Sequence, residues 1–175
     1  MEYVVLVDDQ NNEIGTAPKE SVHTKNTPLH RGFSVFVFNK KNELLVTRRA
    51  LSKKTFPGVW TNTVCGHPGK DELVIDAAKR RLSDELGLTV DVMREIAPYR
   101  YRCADIHGIV ENEICPILIG YTNSDPQLND DEVGEWKWMQ WEAFLSDIKK
   151  HADIYSFWSK EEAEILEKYF ELRSQ

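Results

Sequence analysis

Short apolar runs separated by polar turns occupy the first part of the chain, and a four-residue apolar spacing takes over in its middle. Tyr3–Val7 and Ile14–Ala17 read as short strands around the polar turn Asp8–Asn12. Gly32–Phe38 and Glu43–Arg48 predict a hairpin across Asn39-Lys40-Lys41-Asn42. Alternation is lost over Val35-Phe36-Val37-Phe38, so this strand is expected at the centre of a sheet, covered on both faces. Ala50–Trp60 contains Phe56-Pro57-Gly58 and reads as a loop, since proline and glycine there favour a turn.

The clearest helix is expected over Asp71–Leu86, where Val74, Ala78, Leu82 and Leu86 stack on one face and Arg81 and Glu85 form another same-side pair. Gly87 can end it in a left-handed conformation. Strands are expected over Met93–Arg102, Val110–Tyr121 and Glu135–Met139. Helices follow over Trp141–Lys150 and Ser159–Phe170, the second opened by Ser159 and Glu162 at capping-box spacing. No internal repeat or linker-like shift divides the chain, which predicts a single mixed α/β (α+β) domain over residues 1–175.

A chain of 175 residues with 41% hydrophobic and 29% charged residues has the composition of a globular domain with a substantial core. Its formal charge of -7 argues against nonspecific binding to nucleic acid or anionic membranes, which repel an acidic surface, although a local basic pocket remains compatible with it. No segment reaches the roughly 18 apolar residues of a membrane span. The opening Met-Glu-Tyr-Val-Val-Leu-Val-Asp-Asp lacks the basic and apolar regions of a secretory leader. Cys65, Cys103 and Cys115 form no CxxC pair, and their odd number fits free thiols in a reducing, cytoplasmic setting.

Candidate chemistry gathers around a few residues. Glu111 and Glu113 would share one face of a strand, and two buried carboxylates repel unless a cation or a proton compensates them. His23 and His30 flank a polar, proline-containing loop, and His67 precedes Pro68. Three imidazoles and two carboxylates would suit manganese, zinc or iron better than an all-oxygen magnesium site. The same residues also read as scattered surface or hydrogen-bonded core groups, and His107 and His151 have weaker claims. Cys65, within Thr61-Asn62-Thr63-Val64-Cys65-Gly66-His67-Pro68, reads either as a small buried hydrophobe or as a reactive thiol. A nearby cation would favour its thiolate, whereas acid chemistry requires the neutral thiol.

Gly66, Glu72, Arg80, Leu82, Glu85, Gly87 and Leu88 match most of the spacing of the Nudix box, a loop-helix-loop that binds a magnesium diphosphate group. Arg81 stands where that box expects a glutamate, and Asp84 where another is common, which departs from the Nudix hydrolases. Across nearly its whole length the chain more closely resembles the type I isopentenyl-diphosphate isomerase family of the Nudix superfamily. The resemblance is carried by His23-Thr24-Lys25 through His30, Arg31-Gly32-Phe33-Ser34, Phe56-Pro57-Gly58-Val59-Trp60 through Pro68, Tyr99-Arg100-Tyr101-Arg102, Gly108-Ile109-Val110-Glu111-Asn112-Glu113 and Asn129-Asp130-Asp131-Glu132-Val133.

That resemblance implies a Nudix-like fold, with a mixed sheet packed between helices, and interconversion of isopentenyl and dimethylallyl diphosphate through a carbocation-like state. It implies that His23, His30, His67, Glu111 and Glu113 hold a divalent ion, Mn2+ or Zn2+, and that Cys65 and Glu113 transfer protons with help from Tyr101. Trp158 becomes the aromatic wall for the developing cation, although sequence alone makes it a core residue beside Trp60, Trp136, Trp138 and Trp141. Lys19, Arg49, Lys53 and Arg81 match diphosphate contacts, while Glu85 and the Cys65 carbonyl hold Mg2+ at the diphosphate. The expected partner is a small isoprenoid diphosphate, with no nucleic acid or membrane, and the expected state a monomer or weak homodimer. A Nudix diphosphatase and a noncatalytic diphosphate-binding module are the competing functions.

Overall fold

The computed structural model describes residues 2–173, so the expected outer limits of the domain, residues 1 and 175, lie outside the described residues. The chain runs β1 (Tyr3–Val7), β2 (Glu13–Pro18), α1 (Lys19–Val22), β3 (His30–Arg31), β4 (Phe33–Phe38), β5 (Glu43–Arg49), β6 (Trp60–Thr61), β7 (Val64–Gly66) and α2 (Val74–Leu86). It continues through β8 (Met93–Ala97), β9 (Arg100–Ala104), β10 (Val110–Ile114), β11 (Ile117–Tyr121), β12 (Val133–Gln140), α3 (Trp141–Lys150) and α4 (Phe157–Arg173). One sheet has the order β2-β1-β3-β10-β9; the other has the order β12-β5-β4-β11-β8, with β6 on β5 and β7 on β4. Both are mixed, because β3 runs parallel to β10 and β4 parallel to β11.

Strand β4 is buried at every position. Phe36 and Phe38 pack with Phe144 and Leu145 of α3 and Leu166 of α4, whereas Phe33, Val35 and Val37 pack with Ala78, Leu82 and Leu86 of α2. The strand therefore sits between helices and carries apolar residues on both faces, which is why its sequence does not alternate. Helix α2 ends as expected: Gly87 has φ 60°, and the Gly87 and Leu88 amides donate to the carbonyls of Ser83 and Leu82. It starts at Val74 and not Asp71, because Asp71 is itself in a left-handed turn with φ 61°. Among the described residues no helix is long and apolar enough to cross a membrane.

Several expected boundaries move. Met93–Arg102 is two strands in different sheets, divided at Pro98-Tyr99, and Val110–Tyr121 divides likewise at Cys115-Pro116. Proline has no N–H to give to a ladder, and each break lets the chain change sheets. The expected hairpin is splayed: β4 and β5 share the pair Phe38 and Leu44, while β7 and β11 flank β4 and β6 and β12 flank β5. The loop from Ala50 ends in β6 at Trp60, and the short elements α1, β3, β6 and β7 escape periodicity altogether. Helix α4 begins before Ser159; Ser156 Oγ accepts the Ser159 N–H at 3.3 Å, and Ser159 and Glu162 are fully buried inside the helix instead of capping it.

Candidate active site

The seam where the two sheets meet collects the polar residues. Glu113 on β10 stands opposite His30 of β3 on one side and Tyr101 of β9 on the other. Glu111, two residues along β10, shares the Glu113 face. His23 follows α1, His67 follows β7, and Cys65 lies on β7 opposite Ser34 of β4. Gly32 is required at this seam, since a Cβ there would lie 2.0 Å from Glu113 Oε2.

One ligand atom from each of His23, His30, His67, Glu111 and Glu113 lies within 4.8 Å of all the others. His23 Nε2 is 3.0 Å from Glu111 Oε2, and Glu113 Oε1 is 2.9 Å from His67 Nε2 and 3.5 Å from His30 Nε2. His67 Nε2 and Glu113 Oε1 are hydrogen-bonded, but His23 Nε2, His30 Nε2 and Glu111 Oε2, and the second His67 nitrogen, Nδ1, are buried with no hydrogen-bond partner. The Pro28 carbonyl, 2.9 Å from His30 Nδ1, can only accept, so the neutral ring keeps its lone pair on Nε2, towards the cluster. Orphaned nitrogen and carboxylate donors converging on one point fit a divalent cation.

Burial opposes the charge of Glu113, but the adjacent His67 and His30 outweigh it and hold this carboxyl well below its ordinary range. Burial acts in the same direction on Tyr101, where nothing outweighs it: the phenol is pushed well up, with the Glu113 and Glu111 charges adding to the effect. The Cys65 thiol is pushed up to about 12, first by burial and then by the nearby Glu162, against its hydrogen bonds with Ser34 and Asn62. Of the two sequence alternatives, these surroundings favour the neutral thiol.

Cys65, His67, Tyr101, Glu111, Glu113 and Trp158 line a cavity of about 600 Å³ whose lining also includes Lys19, Arg49, Lys53, Arg81 and Glu85. Every expected site residue except His30 reaches this cavity; His30 lies behind it, fully buried, beneath Glu113. Trp158 is the tryptophan of the lining; its Nε1 donates to Thr61 Oγ1 at 3.0 Å, and its ring meets Phe56 edge-on at 5.1 Å and Tyr101 at 5.8 Å. Trp138 bonds Asp125, and Trp141 packs in the core. His107 and His151 belong elsewhere, the latter paired to Asp147 at 2.9 Å.

The basic end is preorganised by Glu85 and by two acids, Glu132 and Glu2, that sequence reasoning assigned no role. Arg81 Nη2 lies 2.5 Å from Glu85 and 3.2 Å from Glu132, and Lys53 pairs with Glu132. Lys19 pairs with Glu2 at 2.6 Å. Glu132 belongs to the Asn129–Val133 segment and was legible only as part of that match, whereas Glu2 offers no local signal at all. Arg49 donates to the Thr55 carbonyl at 2.9 Å, with its guanidinium 5.8 Å from the centre of the Trp158 ring. Burial pushes the Glu85 carboxyl up against the opposing pull of Arg81.

Residues 28–158 match the family model described as NUDIX domain. The chain is 51% identical over 164 residues to the isopentenyl-diphosphate Delta-isomerase of Corynebacterium glutamicum, covering 90% of this chain and 87% of that protein. It is 44% identical over 169 residues to the enzyme of the same name from Saccharopolyspora erythraea, covering 95% of this chain and 87% of that one. Its fold matches a crystal structure from Deinococcus radiodurans with a TM-score of 0.74 at 19% identity, over 97% and 99% of the two chains. A MutT protein from Methanosarcina mazei matches with a TM-score of 0.68 at 19% identity, over 85% and 97%.

Proposed function

The chain belongs to the NUDIX domain family and, within it, to the isopentenyl-diphosphate Delta-isomerases, and from that premise we propose how its cavity interconverts isopentenyl and dimethylallyl diphosphate. The reading rests on one observation above the others: an acid, a base and an aromatic face line the same cavity as a cluster of cations.

Cys65 donates its proton to the terminal alkene carbon, leaving a thiolate and a tertiary carbocation-like centre. Glu113 then takes a proton from the neighbouring methylene, and the freed electron pair forms the new double bond. The diphosphate stays attached throughout. An alkene is a poor base, so the acid must be held close, neutral and away from water that would capture the cation. The buried Cys65 thiol meets the second condition. The Trp158 face stabilises the positive centre, an effect of about 2 kcal/mol when desolvated. Tyr101, held as a phenol opposite Glu113, orients that carboxylate and assists its proton exchange.

His23, His30, His67, Glu111 and Glu113 would hold a divalent ion, Mn2+ or Zn2+ by the softness of the imidazole donors, which supplies the positive charge that lets two buried carboxylates share one site. Lys19, Arg49, Lys53 and Arg81 receive the diphosphate. Glu85 and the Cys65 carbonyl would hold a Mg2+ at the diphosphate, where it would offset phosphate charge. The pairing of Arg81 with Glu85 at 2.5 Å favours this anchoring role over hydrolysis, because the helix acid is already neutralised by a cation. Three free cysteines support a reducing, cytoplasmic location. We expect a monomer or weak homodimer that binds neither nucleic acid nor membrane.

Incubation with isopentenyl diphosphate and magnesium in heavy water, followed by proton NMR, tests the proposal. The expected outcome is dimethylallyl diphosphate carrying deuterium, with negligible free phosphate, and a rate lowered by at least about a thousandfold in Cys65→Ala and in Glu113→Gln. Full turnover in either variant would remove that residue from its role. Phosphate release would point to a diphosphatase, and binding without exchange to a noncatalytic module.

A further inference from the structure

Of the four cations at the basic end, Lys19, Lys53 and Arg81 are each paired with a carboxylate, and the acids concerned differ in how firmly they are held. Glu85 lies on α2 with its side chain 10% exposed, and Glu132, 23% exposed, sits in a loop whose carbonyl at that residue accepts the Ala50 N–H at 3.0 Å. Glu2 is different. Its side chain is 54% exposed, yet it lines the same cavity. The backbone puts it there, since the Lys19 N–H donates to the Glu2 carbonyl at 2.9 Å and so brings the two residues together at the cavity rim.

The Glu2 carboxylate spans two of the cations. Its Oε2 lies 2.6 Å from Lys19 Nζ, and its Oε1 lies 3.7 Å from Arg81 Nη1. Among the described residues Glu2 is the acid that pairs with Lys19. Nη1 is also the end of the Arg81 fork that is left for a ligand, because Glu85 holds Nε and Nη2 at 3.0 and 2.5 Å and Glu132 lies 3.2 Å from Nη2. The hydrogen bond from Lys19 holds the Glu2 carboxyl below its ordinary range, against burial, so the group is an anion at neutral pH. Two oxygens of one anion, each facing a different cation, repeat what a phosphoryl group would do at this place.

We propose that Glu2 is a built-in competitor for the diphosphate tail: its carboxylate and one phosphoryl group of the substrate claim the same two cations, and Glu2 turns into solvent when the phosphoryl group takes them. The inference rests on the reading of this basic end as the diphosphate site. A phosphoryl group brings more charge and a further oxygen, whereas an exposed ion pair is weak, so the exchange favours the substrate but lowers its affinity. Arg81 keeps its place without Glu2, because Glu85 and Glu132 still hold it. Loss of the Glu2 charge therefore frees Lys19 and Arg81 Nη1 without loosening the guanidinium.

Isothermal titration of the metal-loaded protein with inorganic pyrophosphate and magnesium tests it. Glu2→Gln is expected to lower Kd about threefold to fivefold, the scale of one exposed ion pair, and a gain in affinity cannot come from a damaged fold. Glu20→Gln separates this from a general loss of negative charge. Glu20 lines the same cavity, but among the described residues its carboxylate pairs with no cation, so its loss should change Kd by less than about 1.5-fold. Lys19→Met should weaken binding, and adding Glu2→Gln to it should bring a smaller gain than Glu2→Gln alone, since one of the two contested cations is gone. An equal gain in Glu20→Gln, or fully additive effects in the double variant, would overturn the inference. A wild-type protein that does not bind pyrophosphate would overturn the reading of the basic end and this inference with it. Binding by the wild type beside an unchanged or higher Kd in Glu2→Gln would overturn this inference alone.

Discussion

At the scale of single residues, Gly32 shows how little space the site leaves. Its backbone does not adopt positive φ, so alanine would be tolerated by the chain, but its Cβ would fall 2.0 Å from Glu113 Oε2. The carboxylate would have to leave its place between His30 and His67. Gly32→Ala is therefore expected to fold, to bind metal poorly and to lose at least about a hundredfold in kcat, since a displacement of about 1 Å at a reacting group costs that much. Metal analysis beside the kinetic assay checks it, and a fully loaded, active variant would show that the carboxylate has another place to go. Trp158 allows a finer separation, because its ring face lines the cavity while its Nε1 reaches Thr61 and Asn62. Trp158→Phe keeps an aromatic face and loses those bonds, whereas Trp158→Leu loses both. If the face stabilises the cationic centre, Leu should cost about thirtyfold more in kcat than Phe, the rate equivalent of about 2 kcal/mol. Equal kcat values in the two variants would reduce Trp158 to packing.

At the scale of elements, the loop leading into α2 is held by Glu72, which accepts the Gly69 N–H at 2.7 Å and both Nε and Nη2 of Arg80 at 2.9 Å. The Arg80 hydrogen bonds hold the Glu72 carboxyl below its ordinary 4.5, against a smaller opposing effect of burial. A depressed carboxyl contributes stability above its unfolded pKa and loses it as the pH falls through the folded one. Glu72→Gln should thus lower the melting temperature at pH 7 by about 2–4 °C, a modest figure because Arg80 is partly exposed, and the gap should close below about pH 4. Thermal melts of both proteins across that range check the sign. Helix α2 and strand β4 were legible because each buries a long face: the Val74-to-Leu86 spacing and the unbroken Val35–Phe38 run announce them. The sheet changes at Pro98 and at Cys115-Pro116 were not, since apolar residues continue on both sides and only the tertiary layout separates the halves. Strands β3, β6 and β7 are too short to show a period, although they bring His30, Thr61 and Cys65 to the site. His30 and Cys65 stood out as candidates by their chemistry, but only the resemblance to a family gave them roles. Glu162 was misread as a cap because spacing alone cannot tell an N3 acid from a core one.

For the whole molecule, the five-donor cluster joins parts of the chain that are far apart. His23 follows α1, His30 and Glu113 lie on adjacent strands of one sheet, and His67 follows β7 of the other. In the folded chain without a cation, Glu111 Oε2 and ring nitrogens of all three histidines are buried and unpaired, a cost that the unfolded chain avoids by hydrating them. An ion that binds the folded form alone then stabilises it by mass action, about 4 kcal/mol at a thousandfold excess over its dissociation constant. For a protein of 175 residues that amounts to a melting temperature higher by roughly 10 °C. Stripping with a strong chelator should lower the melting temperature by about that amount. Adding back Mn2+ or Zn2+ should restore it better than Mg2+, because imidazole donors suit the former ions. In His30→Ala the chelator should have much less effect, since the site would already be compromised. Calorimetry with and without chelator reads all three, and a wild-type melting temperature indifferent to metal would mean that the cluster holds no ion in the folded protein.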